Sequence, residues 1–266
     1  MSPARISIVI PAYNESERLG PTLDRVLAYI DQRAWNAEVV IVNDGSRDQT
    51  AEIARRYSQR NEIVRLIENP GNRGKGYSVR NGVLNATGEF ILFTDADLSS
   101  PIEEASKLLL ALQQGADIAI GSRWIRAELQ TQRQSLARQV LGRVFNALLR
   151  LLLRLDFKDT QCGFKAFRRA AAQTLFPLQR IEGWGFDPEI LYLAHRFGYR
   201  TVEVPVRWGH DNRTRINPLL DGSRMLSEML LIRWYSITGK YRKGPTAVRP
   251  TQSGRNSVPD NVKTAS

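Results

Sequence analysis

Phe90-Ile91-Leu92-Phe93-Thr94-Asp95-Ala96-Asp97 joins four consecutive apolar residues to two carboxylates separated by a single residue. An unbroken apolar run of this length suits a strand buried on both faces, as in a parallel sheet. The carboxylates then stand at its carboxyl end. Upstream, Ile6–Ile10, apolar but for Ser7, is a run closed by Pro11, Val39–Val42 is another, and Ile63–Ile67, with Arg65 inside it, reads as a third strand; downstream lies Ile118–Ile120. Between the first two runs, Leu19, Leu23, Val26, Leu27 and Ile30 have helical spacing. Ser46 and Gln49 have capping-box spacing and open a helix through about Tyr57. Strands alternating with helices predict an α/β domain with a mainly parallel sheet and helices on both faces.

Ligands of such sheets bind beyond the strands' carboxyl ends. Here those ends carry Asn14-Glu15, Asp44, Asp95 with Asp97, and Ser122-Arg123, so one shared site is expected. Asp95 and Asp97 can hold a hard cation such as Mg²⁺ or Mn²⁺ that grips a diphosphate; alternatively they are a solvated pair opening a turn. Asp44, in Val42-Asn43-Asp44-Gly45-Ser46, either accepts from a base N–H or shapes an Asx-turn. Pro11-Ala12-Tyr13-Asn14-Glu15 offers backbone groups and a ring beside a base, or simply terminates its strand. Asn69-Pro70-Gly71-Asn72-Arg73-Gly74-Lys75-Gly76 combines glycines and cations ahead of a helix, which suits a phosphate or ribose as well as a plain turn. It lacks Walker A spacing. Asp159–Lys165 is a polar turn into a short strand at Lys165–Phe167, and Trp184–Glu189 opens a helix whose dipole Asp187 and Glu189 complement.

The chain has 266 residues and a formal net charge of +11. Its single cysteine, Cys162, excludes an internal disulfide and suits a reducing compartment. Basic excess fits nucleic acid, an anionic membrane or phosphate-bearing small molecules. Aromatic residues are not interleaved with the basic ones as stacking platforms, which argues against nucleic acid. With no run of 18 apolar residues and no signal-peptide pattern at the start, the expectation is a cytoplasmic protein whose membrane contact is peripheral. Ser135–Leu155 reads as a basic amphipathic helix: Arg143, Arg150 and Arg154 share one face, and Leu141, Val144, Leu148, Leu152 and Leu155 the other. It either docks on a membrane surface or packs its leucines on the sheet. Leu219–Ile237 is a second apolar helix, and from Lys243 the polar composition predicts a disordered tail. The expected organisation is one domain over 1–242, with a nucleotide half to about 125 and an acceptor half beyond it.

Ile8-Val9-Ile10-Pro11-Ala12-Tyr13-Asn14-Glu15, Val42-Asn43-Asp44-Gly45-Ser46 and Thr94-Asp95-Ala96-Asp97, in this order, resemble glycosyltransferase family 2, the inverting enzymes of GT-A fold. Asn72–Gly76, Gly121-Ser122-Arg123, Asp159–Lys165 and Gly185–Glu189 are similar to its polyprenyl-phosphate branch, nearest the dolichyl-phosphate β-glucosyltransferases. The resemblance spans roughly Ile6 to Tyr241. It implies a Rossmann-like, mixed but mainly parallel sheet with amphipathic helices toward the C-terminus. It also implies a nucleotide-sugar donor, a divalent metal and a polyprenyl-phosphate acceptor. Pro11, Ala12, Tyr13, Glu15 and Asp44 match nucleoside positions; Asp95, Ala96 and Asp97 fall in the metal and diphosphate motif, with Lys75 nearby. Arg123, Lys165 and Asp187 match positions around the phosphates, sugar and acceptor. Leu98-Ser99-Ser100 departs from the mannosyl pattern, and Thr214-Arg215 replaces a usual Ser-Lys pair.

The resulting expectation is transfer of glucose from UDP-glucose to a polyprenyl phosphate with inversion. The rivals are a GDP-mannose enzyme of the same architecture, a transferase with a soluble sugar acceptor, and a silent nucleotide-sugar-binding or scaffold protein.

Overall fold

A computed structural model describes residues 6–126, 128, 147–209 and 218–242. The chain alternates β1 (Ile6–Ala12), α1 (Leu19–Gln32), β2 (Ala37–Asn43), α2 (Thr50–Arg60), β3 (Val64–Glu68), α3 (Lys75–Asn85) and β4 (Phe90–Thr94). It continues through α4 (Ala105–Gln113), β5 (Ile118–Ser122), a helical stretch α5 (147–153) and β6 (Phe164–Arg168). The last elements are α6 (Arg169–Leu175), α7 (Phe186–Arg196), β7 (Thr201–Pro205) and α8 (Pro218–Ile237). All five strands read from apolar runs form, as does the short one at Lys165. The runs did not reveal β7, whose Thr-Val-Glu-Val-Pro alternation leaves it half-buried at the sheet's edge.

The seven strands stand in the order β3-β2-β1-β4-β6-β5-β7. Every neighbouring pair is parallel except those of β6, which runs antiparallel to both β4 and β5. The sheet is therefore mixed and mainly parallel, as expected.

Strand side chains alternate between faces. Ile8 and Ile10 pack with Leu19, Leu23 and Val26 of α1 and Leu108 and Leu112 of α4. Val9, Val40 and Val42 pack on the other face with Val79 and Val83 of α3, Ile190 and Leu193 of α7, and Met229 and Ile232 of α8. Each fully buried leucine or isoleucine contributes about 1.5–3 kcal/mol. Two filled layers thus fix the sheet that carries the strand ends.

Two local expectations change. The capping box at Ser46 and Gln49 does not form: Gln49 makes no cap bond, and Asp48 Oδ1 accepts from Thr50 N at 3.0 Å instead. Ser46 Oγ is drawn across to the neighbouring strand end, where it accepts from Asn14 N at 3.0 Å. In α5 the inward residues are Leu149 and Leu153, with Leu152 partly buried against the same core as expected, whereas Leu148 faces out. The helix stops at Arg154, whose φ of 54° turns Leu155 back under it to join the core by a separate route. That shift of phase leaves Leu148 and Leu151 facing out. The part of the basic helix from 135 to 146, the Thr214-Arg215 pair and the tail from 243 lie outside the described residues.

Candidate active site

The site starts with two turns sewn together. β1 and β2 are neighbours in register, with Ala12 opposite Asn43, so their exits emerge side by side. Asp44 N donates to Ala12 O at 2.9 Å, Arg47 N to Asn14 Oδ1 at 2.8 Å, and Glu15 N to Thr50 Oγ1 at 2.7 Å. Glu15 is also held by Arg18, with Nε 2.5 Å from Oε2 and Nη2 2.9 Å from Oε1. Tyr13 stands exposed on this rim, while Pro11 and Ala12 lie inside β1.

Asp44 is buried, and both its oxygens face the loop from Asn69 to Gly74. Oδ1 accepts from Asn69 Nδ2 at 2.8 Å and Arg73 N at 3.0 Å, and Oδ2 from Gly74 N at 2.8 Å. Asn69 Nδ2 donates in addition to Ser78 Oγ, and Asn69 Oδ1 accepts from Asn81. The turn passes so close beneath the loop that a Cβ on Gly45, whose φ is 67°, would run into Gly71 and the amide of Asn72. These three bonds make Asp44 the fastener of this loop. Sequence reading missed Asn69 as its partner, although the polar Asn69 ahead of Pro70-Gly71 was a usable signal.

The fastened loop delivers Lys75, the first residue of α3, to the third strand end. Lys75 Nζ lies 2.5 Å from Asp95 Oδ1 and 4.9 Å from the centre of the Trp184 ring. Burial works against its charge, but Asp95, then Asp187 and Asp97, outweigh that and hold the ammonium above its ordinary range. Asp97 is raised by burial and by the neighbouring Asp95, while its Oδ1 accepts from Ser99 N at 2.9 Å. Ala96 is buried, its carbonyl accepting from Thr22 of α1 at 2.6 Å.

β6 completes the rim from the opposite direction. Its pairing sets Phe164 against Thr94 and Lys165 against Phe93, which carries Gly163 alongside Asp95. A Cβ on Gly163 would overlap the Asp95 carboxylate. Lys165 is wholly buried, donating to Cys162 O and to Asp187 Oδ1, both at 2.6 Å. Its geometry is that of a positioning residue for Asp187 in the first turn of α7. Glu189, one turn-step further, does not serve the helix end alone. It accepts from the amides of Arg180 and Ile181 at 2.9 Å and from Tyr241 at 2.5 Å, and burial pushes it up to about 7. The segment it pins includes Glu182, whose carbonyl accepts from Tyr77 of α3 at 3.2 Å.

At the β5 end, Arg123 forms a two-pronged pair with buried Asp159, at 2.7 and 2.8 Å, between the rings of Trp124 and Trp208. Burial disfavours the Asp159 charge, but Arg123 overrides it and keeps the carboxyl below its usual range. Glu203 of β7 fixes Asp159 by accepting from its amide at 2.9 Å. The contacts run unbroken from Asp44 through Gly74 and Lys75 to Asp95, with Asp97 and Asp187 acting on the same ammonium. The ends of β1, β2 and β4 and the loop after β3 meet in one place, with the Arg123–Asp159 pair at the end of β5.

A family model described as "Glycosyl transferase family 2" matches residues 7–176. Among curated proteins, a dolichyl-phosphate beta-glucosyltransferase of Drosophila melanogaster is 37% identical, over 89% of this chain and 77% of that protein. The Homo sapiens protein of the same name is 36% identical, over 90% of this chain and 78% of its own length. A Trichomonas vaginalis counterpart is 37% identical over 90% and 74%. Among solved structures, a glucosyl-3-phosphoglycerate synthase from Mycobacterium tuberculosis, in complex with Mn²⁺, UDP and glucosyl-3-phosphoglycerate, superposes with TM-score 0.63. It is 21% identical, with 86% of this chain and 80% of that one covered, a likeness of fold. The same enzyme with Mg²⁺ and UDP gives TM-score 0.63 at 20% identity, over 89% and 80%.

Proposed function

The chain belongs to glycosyl transferase family 2, and on that premise we propose that it moves glucose from UDP-glucose to a polyprenyl phosphate of the dolichyl type, inverting the anomeric carbon. The observation that carries this reading is the convergence of Asp44, Lys75, Asp95, Asp97 and Asp187 at adjoining strand ends. Relatives named for that reaction, at 36–37% identity over nearly the whole chain, support the choice of sugar and acceptor.

Asp95 and Asp97 suit Mg²⁺ or Mn²⁺. Ions of the Mg²⁺ type bind through one or two carboxylates plus substrate phosphates and keep several waters. A pair is what this rim offers, and no group of three His, Cys, Asp or Glu fit for a metal occurs among the described residues. Bound there, the ion would neutralise charge on the departing diphosphate. Asp44 holds the loop that lines the nucleoside side, with Pro11, Ala12, Tyr13 and Glu15 forming its wall. Lys75 adds a cation on the diphosphate side. The acceptor phosphate is already ionised at neutral pH and needs little help from a base. Arg123, fixed by Asp159, gives the acceptor side a cation at the end of β5, and Lys165 sets the position of Asp187. Transfer then rests on alignment and charge complementarity.

The acceptor calls for contact with a membrane, which we place on its cytoplasmic face. No helix among the described residues is long and apolar enough to cross one. Leu148 and Leu151 of α5 are exposed, as are Leu230, Trp234 and Ile237 of α8, with Arg233 and Lys240 close in sequence. Apolar side chains beside cations suit an interfacial helix.

The test is incubation with labelled UDP-glucose and polyprenyl phosphate, then extraction into chloroform–methanol. Wild type should transfer label to the organic phase, and Asp97→Ala should not. Parallel assays with UDP-galactose, UDP-N-acetylglucosamine and GDP-mannose test the donor. Equal use of GDP-mannose, or label confined to the aqueous phase, defeats the reading.

A further inference from the structure

Asp95 and Asp97 are separated by one residue in a largely enclosed corner, so their charges oppose each other there. The protein resolves this with a cation of its own. Lys75 Nζ, its side chain only 17% exposed, sits 2.5 Å from Asp95 Oδ1, and the Trp184 ring covers it from the other side. Asp95 itself has little room to retreat, because its carboxylate lies against the Cα of Gly163. The loop behind Lys75 is equally constrained, since Asp44 fastens Arg73 N and Gly74 N.

A Mg²⁺-type ion takes a carboxylate oxygen at about 2.0–2.1 Å. An ion held by Asp95 at that distance would stand close to the ammonium already 2.5 Å from Oδ1, and the two positive charges would repel. The two cations compete for one place. The geometry points to Lys75 as a resident counter-ion that competes with the divalent metal for Asp95 and yields to it. The natural destination of the displaced ammonium is a diphosphate, which can accept the metal and the lysine together. The metal therefore enters the bare protein weakly and enters together with nucleotide strongly. This deepens the proposed function and rests on its assignment of a metal to Asp95 and Asp97.

The experiment is Mn²⁺ titration of the full chain, with free Mn²⁺ read by electron paramagnetic resonance, with and without UDP. Lys75→Met and Lys75→Gln remove the charge; Lys75→Arg keeps it. Without UDP, the two neutral variants should bind Mn²⁺ about fivefold more tightly than wild type, the scale of one partly exposed ion pair, while Lys75→Arg should gain nothing. With UDP the advantage should vanish or reverse, because the lysine is then missing from the diphosphate. Thermal melting verifies folding, and Lys75→Gln, which retains a donor toward Asp95, carries the comparison if Lys75→Met does not fold. Equal or weaker binding by the neutral variants without UDP overturns the inference, and so does undetectable binding by both them and wild type. Asp97→Ala with UDP separates the two levels. If it abolishes Mn²⁺ binding while the neutral variants match wild type, only the counter-ion idea fails. If Mn²⁺ binding survives Asp97→Ala, the metal assignment fails and takes this inference with it.

Discussion

Asp44→Asn preserves volume and removes one acceptor oxygen from a carboxylate that holds three donors. Oδ1 serves Asn69 Nδ2 and Arg73 N, and Oδ2 serves Gly74 N. If the new amide nitrogen takes the Oδ2 place, it confronts Gly74 N–H and leaves that donor unpaired, at a cost of about 1–3 kcal/mol. The two remaining bonds lose their charge assistance, each weakening by about 0.5–1 kcal/mol. The sum is a loss of about 2–5 kcal/mol in unfolding free energy, read by urea denaturation. UDP affinity, read by calorimetry, should drop at least about tenfold, since about 1.4 kcal/mol is enough for that. Asn69→Ala separates the loop from any direct contact with a base. It should lower stability by about 1–2 kcal/mol and raise amide exchange over residues 70–76, with a smaller loss of UDP binding. A stability change under about 1 kcal/mol in Asp44→Asn, with unaltered exchange in that loop, would refute the fastening role.

Gly163→Ala forces a methyl into the Asp95 carboxylate. Overpacking of this kind costs about 1–3 kcal/mol, and kcat should fall about tenfold or more while the melting temperature moves only a few degrees; unchanged kcat would show that Asp95 has freedom to move. Arg123→Ala leaves buried Asp159 without its partner and should cost about 3–5 kcal/mol, whereas Arg123→Met with Asp159→Leu should recover part of that in urea melts. Glu189 is raised from 4.5 to about 7 by burial, so the folded protein binds more protons than the unfolded chain between those values. Its contribution to stability is therefore complete below about pH 4.5 and declines as pH rises through 7, by on the order of 3 kcal/mol at most. Glu189→Gln should flatten that part of the pH–stability profile, and an unchanged slope would count against the assignment.

Most of the chain as far as β5 was legible because its strands are wholly or mostly apolar and end at abrupt polar steps. Val39–Val42 and Phe90–Phe93 admit little but buried strands, and the carboxylates after them had to lie at the carboxyl ends. The partners of those carboxylates were not legible. That Asn69 meets Asp44, or that Gly163 meets Asp95, depends on which strands adjoin and in which direction they run. Lys165 was read as a group near sugar and acceptor, and only the pairing of β6 with β4 revealed that its ammonium points inward at Asp187. The phase of α5 escaped because Leu155 belongs to the core without belonging to the helix, so a single projection mixed two separate packing events. Ser46 was misassigned for a similar reason: a hydroxyl that could cap its own helix found a donor on the next strand sooner.

The one reversed strand has a bearing on where the chain can change. Because β6 enters the sheet at the edge from which β4 and β5 leave, the stretch between 123 and 163 departs and returns on the same side. Residues can be added there, or exchanged with those of a relative, without threading the sheet or shifting β1 to β4. What such an exchange would have to preserve is Arg123 with Asp159 at the seams, Gly163 at the re-entry, and the buried Leu149, Leu153 and Leu155 between them. Leu148 and Leu151, exposed between those fixed points, can be varied without disturbing the core.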